Sequence, residues 1–463
     1  MKTKITLLIA MLFLGLNATF AQTPQEEDLN TLSIFSEYAK AKNYDAAYGP
    51  WMELRQRNPK FNRAIFTYGE RILNHKIENS SGSEKVGFIN DLVKMWDERR
   101  THFASKTPQG EFLAKACQLQ YDYKEELKMT DSQLYECFDN AFKTDAETFK
   151  NPKSLYTYFK LMVNLYDAKI KPAEELFTKY DEISEKIESE VKHYTNLLNK
   201  YVPTDDSEEE PKLSTSDAKK VRSYTSFLRA YDQISSGMDR DLGDRANCEN
   251  LIPLYTRNYE ANKNDGLWLQ RAMNRLFTKE CTDDPLFVKI VAQKNSLEPN
   301  ASTAYYLGIL KDKEGDSAAA LTYYNQAVDL ETDNFEKAKI LYRIASGFKN
   351  KRSYGQARTY YQKVLAANPS YGRAHLAISQ MYANSANSCG IDNFSKRAVY
   401  WLAASEARKA GRVDPNLKKS ASNQAANYLS KAPTKSEIFD KGNSGETIKI
   451  GCWIGRSVTV PKL

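Results

Sequence analysis

The chain has 463 residues and a net charge of +7, which becomes +5 if Lys2 and Lys4 leave with a processed leader. For this length that balance is too mild to point to nucleic acid. Twenty-nine tyrosines and twenty phenylalanines suit the seams of packed helices and equally suit sugar binding, so aromatic content alone leaves both open.

Residues 1–21 read as an export signal. Lys2 and Lys4 give a basic start, Ile5 to Leu16 an apolar run too short to span a bilayer as a stable helix, and Thr19-Phe20-Ala21 a small-residue cleavage site before Gln22. A lipid anchor would need a cysteine directly after that run, yet the first is Cys117, and no later stretch approaches roughly 18 consecutive apolar residues. The expectation is an exported protein without a transmembrane segment in its mature part.

Helical periodicity then dominates. Asp28 to Lys60 carries Tyr38, Ala47 and Trp51 and stops at Pro59. A second unit opens near Asn62 with Tyr68 and Gly69, is lengthened by the polar run Asn79 to Ser83, and continues with Phe88, Leu92, Met95 and Trp96 on one face. From Gly110 to Tyr201 one apolar face holds Leu134, Tyr135, Phe138, Ala141 and Phe142, and another Leu155, Phe159, Met162 and Tyr166. Ala173, Phe177 and Tyr180 lead into a long charged helix, Asp181 to Tyr201. The acidic run Pro203 to Pro211 has nothing apolar to bury and lacks the alternating ligands and glycine of a calcium loop, so it reads as solvated loop. Helices resume at Ser216. Leu251 to Pro299 reads as a hairpin, with Trp268, Leu269 and Ala272 on its first helix and Phe287, Val288, Ile290 and Val291 on its second, which starts on an acidic cap and Pro285.

The clearest segment is Ala301 to Asn334, one 34-residue unit. Counting Ala301 as 1, Leu307 and Gly308 fall at 7 and 8, Ala320 at 20, Tyr324 at 24 and Ala327 at 27. The next unit, from Ala338, places Ile344 and Ala345 at 7 and 8, Phe348 at 11, Ala357 at 20, Tyr361 at 24 and Pro369 at 32. Small residues at 8 and 20 let two helices approach, the aromatic at 24 fills their seam, and proline ends the second helix. A third unit opens at Gly372 with Ile378 and Tyr382, then breaks at a loop, Asn384 to Phe394, before a helix from Ser395 to Arg412. Beyond it, alternation in Glu446 to Trp453 and β-prone residues from Ser457 to Val460, with the turn at Gly455-Arg456, predict a short hairpin.

On these residues the chain resembles the tetratricopeptide-repeat family, closely over 301–371 and more loosely elsewhere. Asp28 to Lys60 fits the same frame, with Tyr38 at 11, Ala47 at 20, Trp51 at 24 and Pro59 at 32. The resemblance implies an all-α solenoid, a right-handed superhelix of helix-turn-helix units, here closed by the β-hairpin. A solenoid accommodates a chain of this length because its core grows unit by unit. The expected division is signal peptide 1–21, degenerate N-terminal repeats 22–201, acidic loop 202–215, central hairpins 216–300, C-terminal repeats 301–433 and hairpin extension 434–463.

Six cysteines in an oxidising compartment suggest disulfides. Pairing of neighbours, Cys117 with Cys137, Cys248 with Cys281 and Cys389 with Cys452, is the simplest of the fifteen possible connectivities. No metal site is expected: the sequence has no C-x-x-C, and His75, His102, His193 and His375 are scattered. No G-x-S-x-G, H-E-x-x-H or phosphate-binding glycine loop occurs, so neither an enzyme nor a cofactor is expected.

In this family the partner surface is usually the concave side, lined by positions 2, 5, 9, 12 and 13 of first helices. The resemblance carries that role to Ser302, Tyr305, Ile309, Asp312 and Lys313, then Lys339, Tyr342, Ser346, Lys349 and Asn350, then Arg373, Leu376, Gln380, Ala383 and Asn384. The family's clamp for a C-terminal carboxylate is not expected, since its places hold Tyr305, Ile309, Arg343, Arg373 and Ala377. The leading reading is a non-enzymatic, exported scaffold that binds a protein or peptide in the cell envelope. Ile450-Gly451-Cys452-Trp453-Ile454 and the leader resemble periplasmic repeat proteins of the Bacteroidota type. The alternative is a glycan-capture protein resembling the starch-binding outer-membrane lipoproteins, and the missing lipoprotein cysteine argues against it.

Overall fold

Short side chains fix many helix ends before packing does. Asp284 accepts from the Leu286 amide at 2.8 Å and Pro285 takes the first helical position, as the acidic cap predicted. Asn300 with Thr303, and Asp392 with Ser395, form reciprocal capping boxes. The computed structural model describes residues 23–202 and 212–463, so the signal reading of 1–21 and most of the acidic loop 202–215 lie outside the described residues. Those described form 22 α-helices and one two-stranded sheet, and Cα proximity divides the chain into two units, up to Leu176 and from Phe177.

The first unit holds α1 (Pro24–Lys40), α2 (Tyr44–Arg57), α3 (Ala64–Glu78), α4 (Gly82–His102), α5 (Gln109–Asp122), the single turn α6 (Lys124–Leu127), α7 (Asp131–Thr144) and α8 (Pro152–Asp167). Its first four helices share a core around Trp51, whose indole N–H donates to the Ile65 carbonyl at 2.8 Å. Gly69 makes room for that ring, because a Cβ there would stand 2.6 Å from it. Tyr38, at position 11 of the repeat frame, is 42 % exposed; Phe35 is buried in the core instead, and no earlier helix among the described residues covers that flank. Cys117 on α5 is bonded to Cys137 on α7.

The second unit begins within α9 (Ala173–Asn199), which joins Ala173, Phe177 and Tyr180 to the charged helix they lead into, as one element of 27 residues. It continues with α10 (Thr215–Leu242), α11 (Cys248–Asn262), α12 (Gly266–Thr278), α13 (Pro285–Leu297), α14 (Ala301–Lys313), α15 (Ser317–Leu330), α16 (Asn334–Asn350), α17 (Tyr354–Ala367) and α18 (Gly372–Asn384). The segment Leu251 to Pro299 therefore holds three helices, not two, with the hairpin formed by α12 and α13. The break after α18 contains one turn, α19 (Ala386–Cys389), and is followed by α20 (Asn393–Val413), α21 (Lys418–Leu429) and α22 (Lys435–Lys441). No helix among the described residues is long and apolar enough to cross a membrane.

Helices α14 with α15, α16 with α17, and α18 with α20 pack as antiparallel hairpins. At Gly308 a Cβ would lie 2.6 Å from the Tyr324 ring and 3.2 Å from the Ala320 carbonyl, so positions 8, 20 and 24 are one contact. These are tetratricopeptide-type hairpins, and the fold is an all-α repeat array with a small sheet. That sheet pairs β1 (Thr447–Ile450) with β2 (Arg456–Thr459) in antiparallel register, Ile448 opposite Val458. Arg456, expected in the turn, instead opens β2 opposite Ile450, and the turn runs from Gly451 to Gly455. The cysteines of this unit join Cys248 to Cys281 and Cys389 to Cys452. Trp453 lies against the rings of Tyr354 and Tyr382 and donates to the Ser385 hydroxyl at 2.9 Å, fastening the sheet to α17 and α18.

Candidate functional site

Helices α12, α14, α16 and α18 are the first helices of successive hairpins in the second unit, and α9 meets α12, α16 and the approach to α18. Asp181, Glu185, Glu188, Lys192 and Asn199 are spaced so that they share one stripe of α9. Asp181 pairs with Arg275 of α12, and Glu185 accepts from Arg271 Nε and Nη2 at 2.8 and 2.7 Å. Glu188 pairs with Lys339 of α16, Lys192 with Asp333 at that helix's N-terminus at 2.8 Å, and the Asn199 amide oxygen accepts from the Ser370 backbone just before α18 at 3.1 Å. Of the strip assigned to a partner, the chain's own helix engages Lys339, and its other receivers, Arg271, Arg275, Asp333 and Ser370, stand beside that strip.

The two ends of that contact differ in burial. Arg275 is 6 % exposed and donates to Asp181, to the Tyr255 hydroxyl and, at 2.8 Å, to the Phe177 carbonyl. Burial pushes the Tyr255 phenol up to about 12. Lys339 is more open. Burial pulls its ammonium down to about 8 and Arg343 one turn along α16 acts the same way, while Glu188 and Glu336, the latter at 3.0 Å, favour the charged form.

Beyond Glu188 the fit is loose. A cleft of about 620 Å³ separates α9 and α10 from α16, the approach to α18 and residues 414–417. Ile187 and Leu198 of α9, Leu228 of α10 and Leu417 give it apolar walls, and its rim carries the pairs Glu188 with Lys339 and Asp232 with Arg373. The last pair is exposed and 3.6 Å apart.

The remaining residues of the expected strip are placed as follows. Tyr305 is 4 % exposed, enclosed by Tyr306, Tyr324 and Phe277 and covered by the Arg343 guanidinium, and burial pushes its phenol up to about 12. It serves the seam between hairpins and is not a surface anchor. Asp312 accepts from the Tyr324 hydroxyl at 2.9 Å and pairs with Lys351 at 2.7 Å. Lys313 reaches back to Thr282 and Asp283, both at 2.6 Å. Tyr342 lies between the rings of Tyr361 and Tyr371, and Lys349 donates to Gln380 at 2.6 Å. Asn350, Arg373, Gln380 and Asn384 are exposed.

Sequence reading misses α9 as the occupant and Arg271, Arg275, Asp333 and Ser370 as its receivers. The carboxylates at i, i+4 and i+7 from Asp181 and the arginines at 271 and 275 are the available signal. Arg343, lying over the Phe277 and Tyr305 rings, stands out in the sequence only as a mismatch to the carboxylate clamp. Among the described residues no group of three or more His, Cys, Asp or Glu is placed to hold a metal ion.

No protein-family model matches the chain. Over 70 residues it is 36 % identical to photosystem I assembly protein Ycf3 of Acaryochloris marina, covering 15 % of this chain and 42 % of that protein. Ycf3 of Cuscuta gronovii is 36 % identical over 67 residues, covering 14 % and 40 %. The chain thus spans about two fifths of the length of these curated relatives. Among solved structures, yeast Tom70 covers 90 % of this chain and 83 % of its own at 11 % identity and a TM-score of 0.25. The APC/C hetero-tetramer Cut9–Hcn1 covers 88 % and 97 % at 12 % identity and 0.30. Scores at that level place no constraint on this chain. The repeat frame and the Gly308–Tyr324 contact identify the hairpins from α14 to α18 as tetratricopeptide repeats.

Proposed function

We propose that this protein is an exported scaffold of the cell envelope whose first-helix face in the second unit binds a protein partner. One observation carries the reading. That face already holds a helix, α9, by matched charges on α12 and α16, which is the helix-in-groove mode of recognition. Three disulfides support an oxidising compartment, and the basic, apolar and small-residue order of residues 1–21 supports export. Exposed Asn350, Gln380 and Asn384 at the far ends of α16 and α18 extend the face beyond α9.

The test is photo-crosslinking in intact cells from a reactive residue at Asn350 or Gln380, with Thr322 on second helix α15 as control, followed by capture of the tagged chain. An envelope protein joined from the first-helix positions and absent from the control is the expected result. Recovery of nothing above background from Asn350 and Gln380 would defeat the reading. Fractionation and N-terminal sequencing of the mature chain, expected to begin near Gln22, test the export half separately.

A further inference from the structure

The stripe on α9 is fastened unequally along its length. At Asp181 a buried arginine ties it to α12 through the Phe177 carbonyl and the Tyr255 hydroxyl. At Glu188 and Lys192 the ties are ion pairs open to solvent, the side chains of Glu188, Lys192 and Asp333 being 45 %, 37 % and 37 % exposed, and the stripe ends on the Asn199–Ser370 hydrogen bond. Beside them lies the cleft of about 620 Å³, lined by Ile187, Val191 and Leu198 from α9 and by Phe335 and Leu417. The solvated pairs hold this half of α9 to α16 weakly, whereas Tyr194 is packed on Phe227 and Tyr231 of α10, so α9 would leave the face of α16 together with α10.

Residues 187–192 also display what the surface accepts. Ile187 and Val191 turn one aliphatic edge to the cleft, Glu188 meets Lys339, and Lys192 meets Asp333 one turn later. The order is aliphatic, acid, two spacers, aliphatic, base. The receiving groups, Lys339 in the first turns of α16 and Asp333 at its N-cap, are fixed by the repeat and not by α9. From this geometry we propose that the face of α16 and the approach to α18 is a docking surface for an amphipathic helix of a partner protein carrying that pattern, and that the C-terminal half of α9 is the intramolecular helix it replaces. The Arg275 anchor keeps the displaced half tethered, so the exchange needs no unfolding of the repeats. This inference rests on the reading of the same face as an interaction surface and adds the chemistry of the helix it takes.

The probe is a fluorescent synthetic peptide of residues 180–199, added to the full chain and followed by anisotropy. In the wild-type chain the site is occupied by its own helix, which lowers apparent affinity by the fraction of molecules open. The variant Glu188→Lys with Lys192→Glu opposes its own helix to Lys339 and Asp333 but leaves the receiving face unchanged, and is expected to bind the peptide at least about tenfold tighter than wild type. Adding Lys339→Glu to that variant should return binding to the wild-type level. Equal binding by wild type and the double variant, with unchanged helix content by circular dichroism, overturns the proposal. Should the double variant not fold, hydrogen exchange on the wild-type chain decides. Residues 187–199 exchanging well ahead of α16 and α17 is the expected outcome, and equal protection overturns it. A partner crosslinked from Asn350 together with a negative peptide result removes only this inference; tight peptide binding without any crosslinked protein removes only the cellular reading.

Discussion

The α14–α15 and α9–α10 hairpins pair their helices by opposite means. In the first, Gly308 leaves space that the Tyr324 ring enters, so the backbones meet with nothing between them but that ring. In the second, bulky groups keep the backbones apart: Tyr194 stacks on Phe227 at 4.7 Å and the Tyr180 hydroxyl donates to Asp239 at 2.6 Å. A seam made by a missing side chain tolerates almost no change, whereas one bridged by long side chains and charges can be rearranged residue by residue. The regular repeats are therefore the rigid part of the second unit, and α9 with α10 the adaptable part.

The largest effect should come from breaking the one place where α9 is itself rigid. Arg275→Ala leaves Asp181 with only Arg271, at 4.0 Å, and is expected to cost about 3–5 kcal/mol in denaturant unfolding, since removing one partner of a buried pair leaves the other charge poorly compensated. A loss under about 1 kcal/mol would mean that this end of α9 is as loose as the other. On the rigid side, Gly308→Ala should destabilise by about 1–3 kcal/mol through overpacking against Tyr324. Gly347, in the exposed interior of α16 with nothing within 4 Å of the place a Cβ would take, should instead gain about 0.5–1 kcal/mol on the same substitution. Glu185→Ala removes an exposed ion pair, so global stability should move by less than about 1 kcal/mol.

The smallest effect is on pH. Burial raises the Asp333 carboxyl, but the Lys192 ammonium and the backbone N–H groups of Phe335 and Glu336 outweigh it and hold it below its ordinary value. Lys192 is held above its ordinary value chiefly by its hydrogen bond to Asp333. A depressed carboxyl contributes stability above its unfolded pKa of about 4 and loses it as pH falls through the folded value. A raised ammonium contributes fully below its unfolded value near 10.5 and loses that contribution as pH climbs through the folded one. Exchange rates at residues 187–199, corrected for intrinsic pH dependence, should therefore show greater opening at either extreme, and Lys192→Ala should remove the alkaline rise. No rise below pH 4 in the unaltered chain would show that the pair does not hold α9.

Local rules made much of the rigid part legible. The spacing of Gly308, Ala320 and Tyr324 carries its own packing logic, and Pro285 after Asp284 states where a helix begins. The three disulfides join the cysteines nearest in sequence. What stayed hidden depends on neighbours far along the chain. Tyr305 looks like a surface anchor until Phe277, from the preceding hairpin, is placed edge-on against it. The acids of α9 look like an ordinary solvated stripe until Arg271, Arg275 and Lys339 stand opposite, up to 151 residues away. Charge patterns name a surface only when both sides are known.

The small sheet works as a brace across two repeats. Trp453 lies against the rings of Tyr354 on α17 and Tyr382 on α18 and donates to the Ser385 hydroxyl, while Cys389 and Cys452 tie the ribbon covalently to α19. A link that touches the second helix of one hairpin and the first helix of the next resists their sliding past each other, so reducing that one disulfide loosens a joint between repeats and not the ribbon alone.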